Sequence, residues 1–75
     1  MLIMNQKRTE LINLDNVTLI VRDTTVDERK IQYWADTASD TTKLGEYANA
    51  PGHENILDRI AQSAGAINVF YMPEE

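Results

Sequence analysis

Residues 54–65, Glu-Asn-Ile-Leu-Asp-Arg-Ile-Ala-Gln-Ser-Ala-Gly, decide the fold class. Ile56, Leu57, Ile60, Ala61 and Ala64 recur at i, i+1, i+4, i+5 and i+8, the spacing that lines one face of a helix. Upstream of that stripe, the apolar period drops to two. Val17, Leu19 and Val21 fall at every second position, as do Ile31, Tyr33 and Ala35, which is the period of strands. The contrast predicts an α+β domain. It consists of a small antiparallel sheet of about five or six strands, one helix in the C-terminal half packed on one face, and a final strand after it.

Turn chemistry sets the boundaries. Leu2–Asn5 reads as a first strand, stopped by Gln6-Lys7-Arg8, and Glu10–Leu14 as a second. Asp15-Asn16 tolerates positive φ and predicts a tight hairpin into Val17–Arg22, the stretch richest in β-branched residues. Asp23–Glu28 is a polar turn before Lys30–Ala35, and Asp36–Thr41 reads as a mobile loop. In the strand Thr42–Ala48, Gly45 predicts a bulge or a close backbone approach. Asn49 is placed to cap the helix with Pro51 in its first turn, and a start near Gly52 is equally compatible. Gly65 supplies the left-handed stop, Ile67–Met72 rejoins the sheet, and Pro73 ends it.

Composition narrows the classes. Seventy-five residues make one domain near the lower size limit for a self-sufficient core. Cysteine is absent, which excludes disulfides and thiolate metal sites, so self-association is the most available supplement. Twelve acidic against seven basic residues give a net charge of −5, unfavourable for gripping nucleic-acid phosphates. No apolar run approaches the roughly 20 residues of a membrane span. Met1-Leu2-Ile3-Met4 is too short for the apolar region of a signal peptide, which predicts a cytoplasmic chain.

One helix covers one side of a sheet. Val17, Leu19, Val21, Ile31, Tyr33, Ile67, Val69 and Tyr71 share the parity assigned to the helix side. The opposite parity holds Thr18, Arg22, Gln32, Asp36 and Asn68, but also Ile20, Trp34, Phe70 and Met72. Either loops or a bent terminus cover these last four, or they form an exposed patch centred on the indole, which is the expectation. Such a patch would pair two copies as a dimer or dock another protein.

Candidates for chemistry are few. His53 is the only histidine, placed at the start of the helical stripe beside Glu54, with no cysteine and no serine in a strained glycine-flanked turn to activate. Asp15, Asp36 and Asp40 would meet at one end of a meander, where a hard cation could bind, but their spacing matches no metal loop. A very small enzyme or metal-dependent subunit using His53 and these carboxylates is the competing class. Lys7, Arg8, Arg29 and Lys30 gather near the other turns, interleaved with Asp23, Asp27 and Glu28 that cancel their field. A sheet face that binds nucleic acid is therefore the third reading. No cofactor motif is present: Gly45, Gly52 and Gly65 fit neither glycine-rich phosphate loop.

Four stretches carry a resemblance. They are Met1-Leu2-Ile3-Met4-Asn5, Leu11-Ile12-Asn13-Leu14-Asp15-Asn16-Val17, Leu44-Gly45-Glu46-Tyr47 and Phe70-Tyr71-Met72-Pro73-Glu74. In these the chain resembles a loose group of short proteins of no known activity, encoded by Gram-positive bacteria and their phages and prophages. It departs from that group at Pro51-Gly52-His53, where acidic helix formers followed by alanine are more usual. The resemblance implies a strand-rich α+β fold and transfers no site residues.

Overall fold

A computed structural model describes all 75 residues. Six strands and one helix follow in the order β1 (Leu2–Met4), β2 (Leu11–Asn13), β3 (Val17–Thr24), β4 (Lys30–Thr37), β5 (Thr41–Ala48), α1 (Ile56–Ser63) and β6 (Val69–Tyr71). The α+β class holds, but the single sheet does not. The strands form two three-stranded sheets, ordered β2–β1–β6 and β3–β4–β5.

The division is made at Asp15-Asn16. The expected hairpin is a 3-10 turn over Leu14–Asn16, opened by Asn13, whose Oδ1 accepts the Asp15 N–H at 3.0 Å. That turn redirects the chain out of the first sheet, and β2 and β3 never pair. The final strand joins β1 rather than the meander, and it runs parallel to it, with Ile3 opposite Phe70. Parallel pairing requires a long connection, here everything from β2 to α1.

The second sheet is an antiparallel meander with two bulges. One falls between Val17 and Leu19, the other between Tyr33 and Trp34, where Tyr33 pairs with Gly45 and Trp34 with Lys43. Gly45 therefore meets both expectations, since the Tyr47 ring also lies against it. The bulge displaces Leu44, whose carbonyl accepts the Gln6 N–H at 2.8 Å, while Gln6 Oε1 accepts the Glu46 N–H at 2.7 Å. These bonds join the two sheets. Asp36–Thr41 is not a loose loop: β4 runs to Thr37, β5 begins at Thr41, and the Thr37 N–H donates to the Asp40 carbonyl at 2.8 Å.

The helix starts later than expected, at Ile56. Gly52 has φ +95°, which interrupts helical winding, and two upstream carbonyls are engaged by the second sheet. The Tyr33 hydroxyl donates to the His53 carbonyl, and the Arg22 guanidinium to that of Glu54 at 2.6 Å. Pro51 and Asn49 thus lie in the lead-in, and Asn55 takes the cap position without a side-chain bond. The stop is as expected, with Gly65 at φ +81°.

Both sheets and the helix feed one core. Ile3, Phe70 and Met72 enter from the first sheet and its continuation; Ile31, Tyr33, Ala35, Leu44 and Tyr47 from the second; Ile56 and Ile60 from α1.

Candidate functional site

The four residues expected to form a patch do not meet on one surface. Phe70 and Met72 are core residues, 6% and 0% exposed. The parity that put them outside assumed that β6 lay in the meander; paired with β1 instead, Phe70 shares the inward side of Ile3. Ile20 is also turned inward, opposite Ala35, because the bulge after Val17 shifts the alternation by one residue. Only Trp34 lies on an outer face, partly buried beside Val21 and beneath the Lys43 ammonium, 5.4 Å from the ring centre. On that face Leu19, 54% exposed, and Val21 lie to the β3 side, and the β5 side is polar. Glu46 accepts bonds from Gln32, Lys30 and Lys43 at 2.7, 3.2 and 3.3 Å. Those bonds, Gln32's foremost, hold the Glu46 carboxyl down at about 2.

The apolar surface lies on the other sheet. Leu2, Met4, Leu11, Val69 and Tyr71 alternate away from Ile3, Ile12 and Phe70, so they share the outer face of β2–β1–β6. Leu11 is 48% and Tyr71 57% exposed, with Ile67, 44% exposed, just before β6. Two cross-strand rows build the face, Asn13–Leu2–Val69 and Leu11–Met4–Tyr71. The Arg8 guanidinium borders it, 5.4 Å from the Tyr71 ring centre. Arg8 is held in turn by the Met72 and Asn5 carbonyls at 2.7 and 2.9 Å. Behind it, buried Asn5 fixes the loop: its Oδ1 accepts the N–H groups of Thr9 and Glu10 at 2.9 and 3.1 Å.

Sequence reasoning missed this face because it placed Ile67, Val69 and Tyr71 under the helix. A signal was present. Leu2-Ile3-Met4 and Val69-Phe70-Tyr71 are unbroken apolar runs, and in strands three residues long such a run puts apolar groups on both sides.

The residues suited to chemistry do not converge. His53 donates or accepts through Nδ1 at the Ala48 carbonyl, 2.8 Å away, and its ring packs on Tyr47 at 5.2 Å. No group of three His, Asp or Glu side chains is arranged to hold a metal ion. The shifted ionisable groups are scattered. Burial pushes the Tyr47 phenol up to about 12 and raises Tyr33; a hydrogen bond from Thr25 lowers Asp27 at the β3–β4 turn. The basic residues are partly spent: Arg8 lies 3.6 Å from Glu74, and Lys30 and Lys43 share Glu46. The largest concavity, between the Asn5–Glu10 loop and β5, carries Lys7, Arg8 and Lys43 against Glu10, Glu46 and Glu74 and so has no charge preference. No helix is long and apolar enough to cross a membrane.

No protein-family model, curated protein or solved structure matches this chain.

Proposed function

We propose that this protein is a noncatalytic interaction module that self-associates, two copies meeting through the outer face of the β2–β1–β6 sheet. The supporting observation is the apolar surface of Leu2, Met4, Leu11, Val69 and Tyr71 on one face of the sheet, with Leu11 48% and Tyr71 57% exposed and the other three half-buried. Large exposed apolar patches mark association surfaces, and aromatic groups such as Tyr71 carry much of their energy. The size of the domain points the same way. Only 12 of 75 residues are buried, so covering this face would add substantially to a small core. An accessory protein of phage or prophage origin, acting in the cytoplasm and docking on a host factor, is one form of this reading. The resemblance to short phage-encoded chains supports it.

Sedimentation velocity of three substituted proteins beside the parent provides the test. Leu11→Glu and Tyr71→Glu place a carboxylate on already exposed positions; they should leave the fold intact and shift a dimeric parent to monomer. Trp34→Glu, on the other sheet, should leave the dimer unchanged. A parent that stays monomeric at hundreds of micromolar, or a dimer dissociated only by Trp34→Glu, rejects this face.

A further inference from the structure

Beside that face runs a second feature, the free edge of β6. In the order β2–β1–β6 this strand is terminal. Its bonds to β1 include the Leu2 N–H to the Asn68 carbonyl at 2.8 Å and the Met72 N–H to the Met4 carbonyl at 3.0 Å. Asn68 and Met72 therefore direct these groups toward β1. Alternation along the strand then turns the N–H and C=O groups of Val69 and Tyr71 the other way, along the open edge. They open onto a shallow groove walled by Arg59, Gln62 and Ser63 of α1 and by Val69, Phe70 and Tyr71.

The other edges differ. The outer edge of β5 is engaged by Gln6, through the Leu44 carbonyl and the Glu46 N–H. The edge strand β3 is interrupted by its bulge and carries Arg22 and Asp23, devices that discourage strand addition. β6 has neither; β2, the opposite edge of its sheet, lines no groove, and the concavity beside β5 lies on the edge that Gln6 already occupies.

The groove also has a charge. Arg59 is the one ionised residue that lines it, in a chain of net charge −5. It takes part in none of the three ion pairs, which involve Arg8, Lys30 and Lys43, and its guanidinium makes no hydrogen bond within the chain. A ligand here therefore finds two unpaired donors and two unpaired acceptors of backbone, an apolar flank and an uncompensated cation.

We propose that this groove binds an extended peptide segment of a protein partner, added as a fourth strand to the β2–β1–β6 sheet and carrying a carboxylate that pairs with Arg59. The main-chain bonds to Val69 and Tyr71 supply attachment, and alternate side chains of the segment extend the outer apolar face or turn toward α1. The inference rests on the interaction-module reading and specifies how one partner is engaged.

The test is an NMR titration of the full chain with a capped heptapeptide, Ser-Thr-Val-Glu-Val-Thr-Ser, whose valines alternate with the glutamate, and with its counterpart bearing Lys in place of Glu. The Glu peptide should shift the Val69 and Tyr71 amides and slow their exchange with solvent. Arg59→Glu should weaken it by about two- to fivefold, the range an exposed ion pair supplies, and should reverse the preference toward the Lys peptide. Val69→Pro, which removes an outward N–H without touching the β1 ladder, should weaken both peptides. Shifts that ignore the charge at position 59 overturn the carboxylate assignment. Absence of shifts at millimolar peptide, or shifts confined to Leu2 and Leu11, overturns the edge itself. Sedimentation of the same samples keeps the two proposals apart: a dimer that persists while the edge stays silent rejects only the strand addition.

Discussion

Gly45 is small because of Tyr47. A Cβ at that position would stand 2.7 Å from the Tyr47 hydroxyl oxygen and 2.8 Å from Cε2. The ring cannot swing clear, since it is buried and its hydroxyl donates to the Pro73 carbonyl at 2.6 Å. Gly45→Ala should therefore destabilise the fold by about 1–3 kcal/mol, the usual cost of overpacking, read as a lower urea midpoint. An unchanged midpoint would mean that the ring relocates freely. Glu46, next along, makes a prediction about pH. Its folded pKa of about 2 lies below the ordinary glutamate value of 4.5, so its stabilising contribution is complete above about 4.5. That contribution is lost as pH falls from there through about 2. Glu46→Gln should flatten the acid limb of the stability profile in this window, measured by urea midpoints at successive pH values. An identical acid limb in both proteins would show that the bonds from Gln32, Lys30 and Lys43 do not hold in solution.

Among the elements, α1 shows how little of its own stability a short helix holds. Eight residues are too few to persist in water, so tertiary packing sustains it. Ile56 and Ile60 are 0% and 5% exposed, and the lead-in is fastened by Tyr33 and Arg22. Ile60→Asp would bury an unpaired carboxylate in the shared core, and it should abolish folding, visible as loss of the circular-dichroism melt. A melt close to the parent's would contradict the placement of α1. The strands make the complementary point. A bulge of one residue moved Ile20 from the outer to the inner face and left Leu19, 54% exposed, beside Trp34's side of the sheet.

For the whole molecule, the shared core dictates cooperativity. Neither three-stranded sheet has a core of its own: Ile3 and Phe70 pack with Tyr33, Leu44 and Ile56 in one cluster. Trp34 fluorescence reports the second sheet, whereas far-ultraviolet circular dichroism reports all elements. The two signals should follow one urea transition, and separated transitions would mean that the sheets unfold independently. The same architecture explains what could be read in advance. The class follows from the order of residues alone, because periods of 3.6 and 2.0 are local properties of backbone geometry. So do most strand positions, the Gly65 stop and the inward set Ile31, Tyr33, Ala35, Ile56 and Ile60. Which strands share a sheet depends on long-range packing. Pairing depends on where a chain returns after a turn, and the 3-10 turn at Leu14–Asn16 and the parallel return of β6 leave no local periodicity. With the partner of β6 changed from the meander to β1, Phe70 and Met72 became core. The broader exposed apolar face is that of Leu11 and Tyr71, with only Leu19, Val21 and Trp34 left on the indole's sheet, since a side chain is outside only relative to the layer its strand joins.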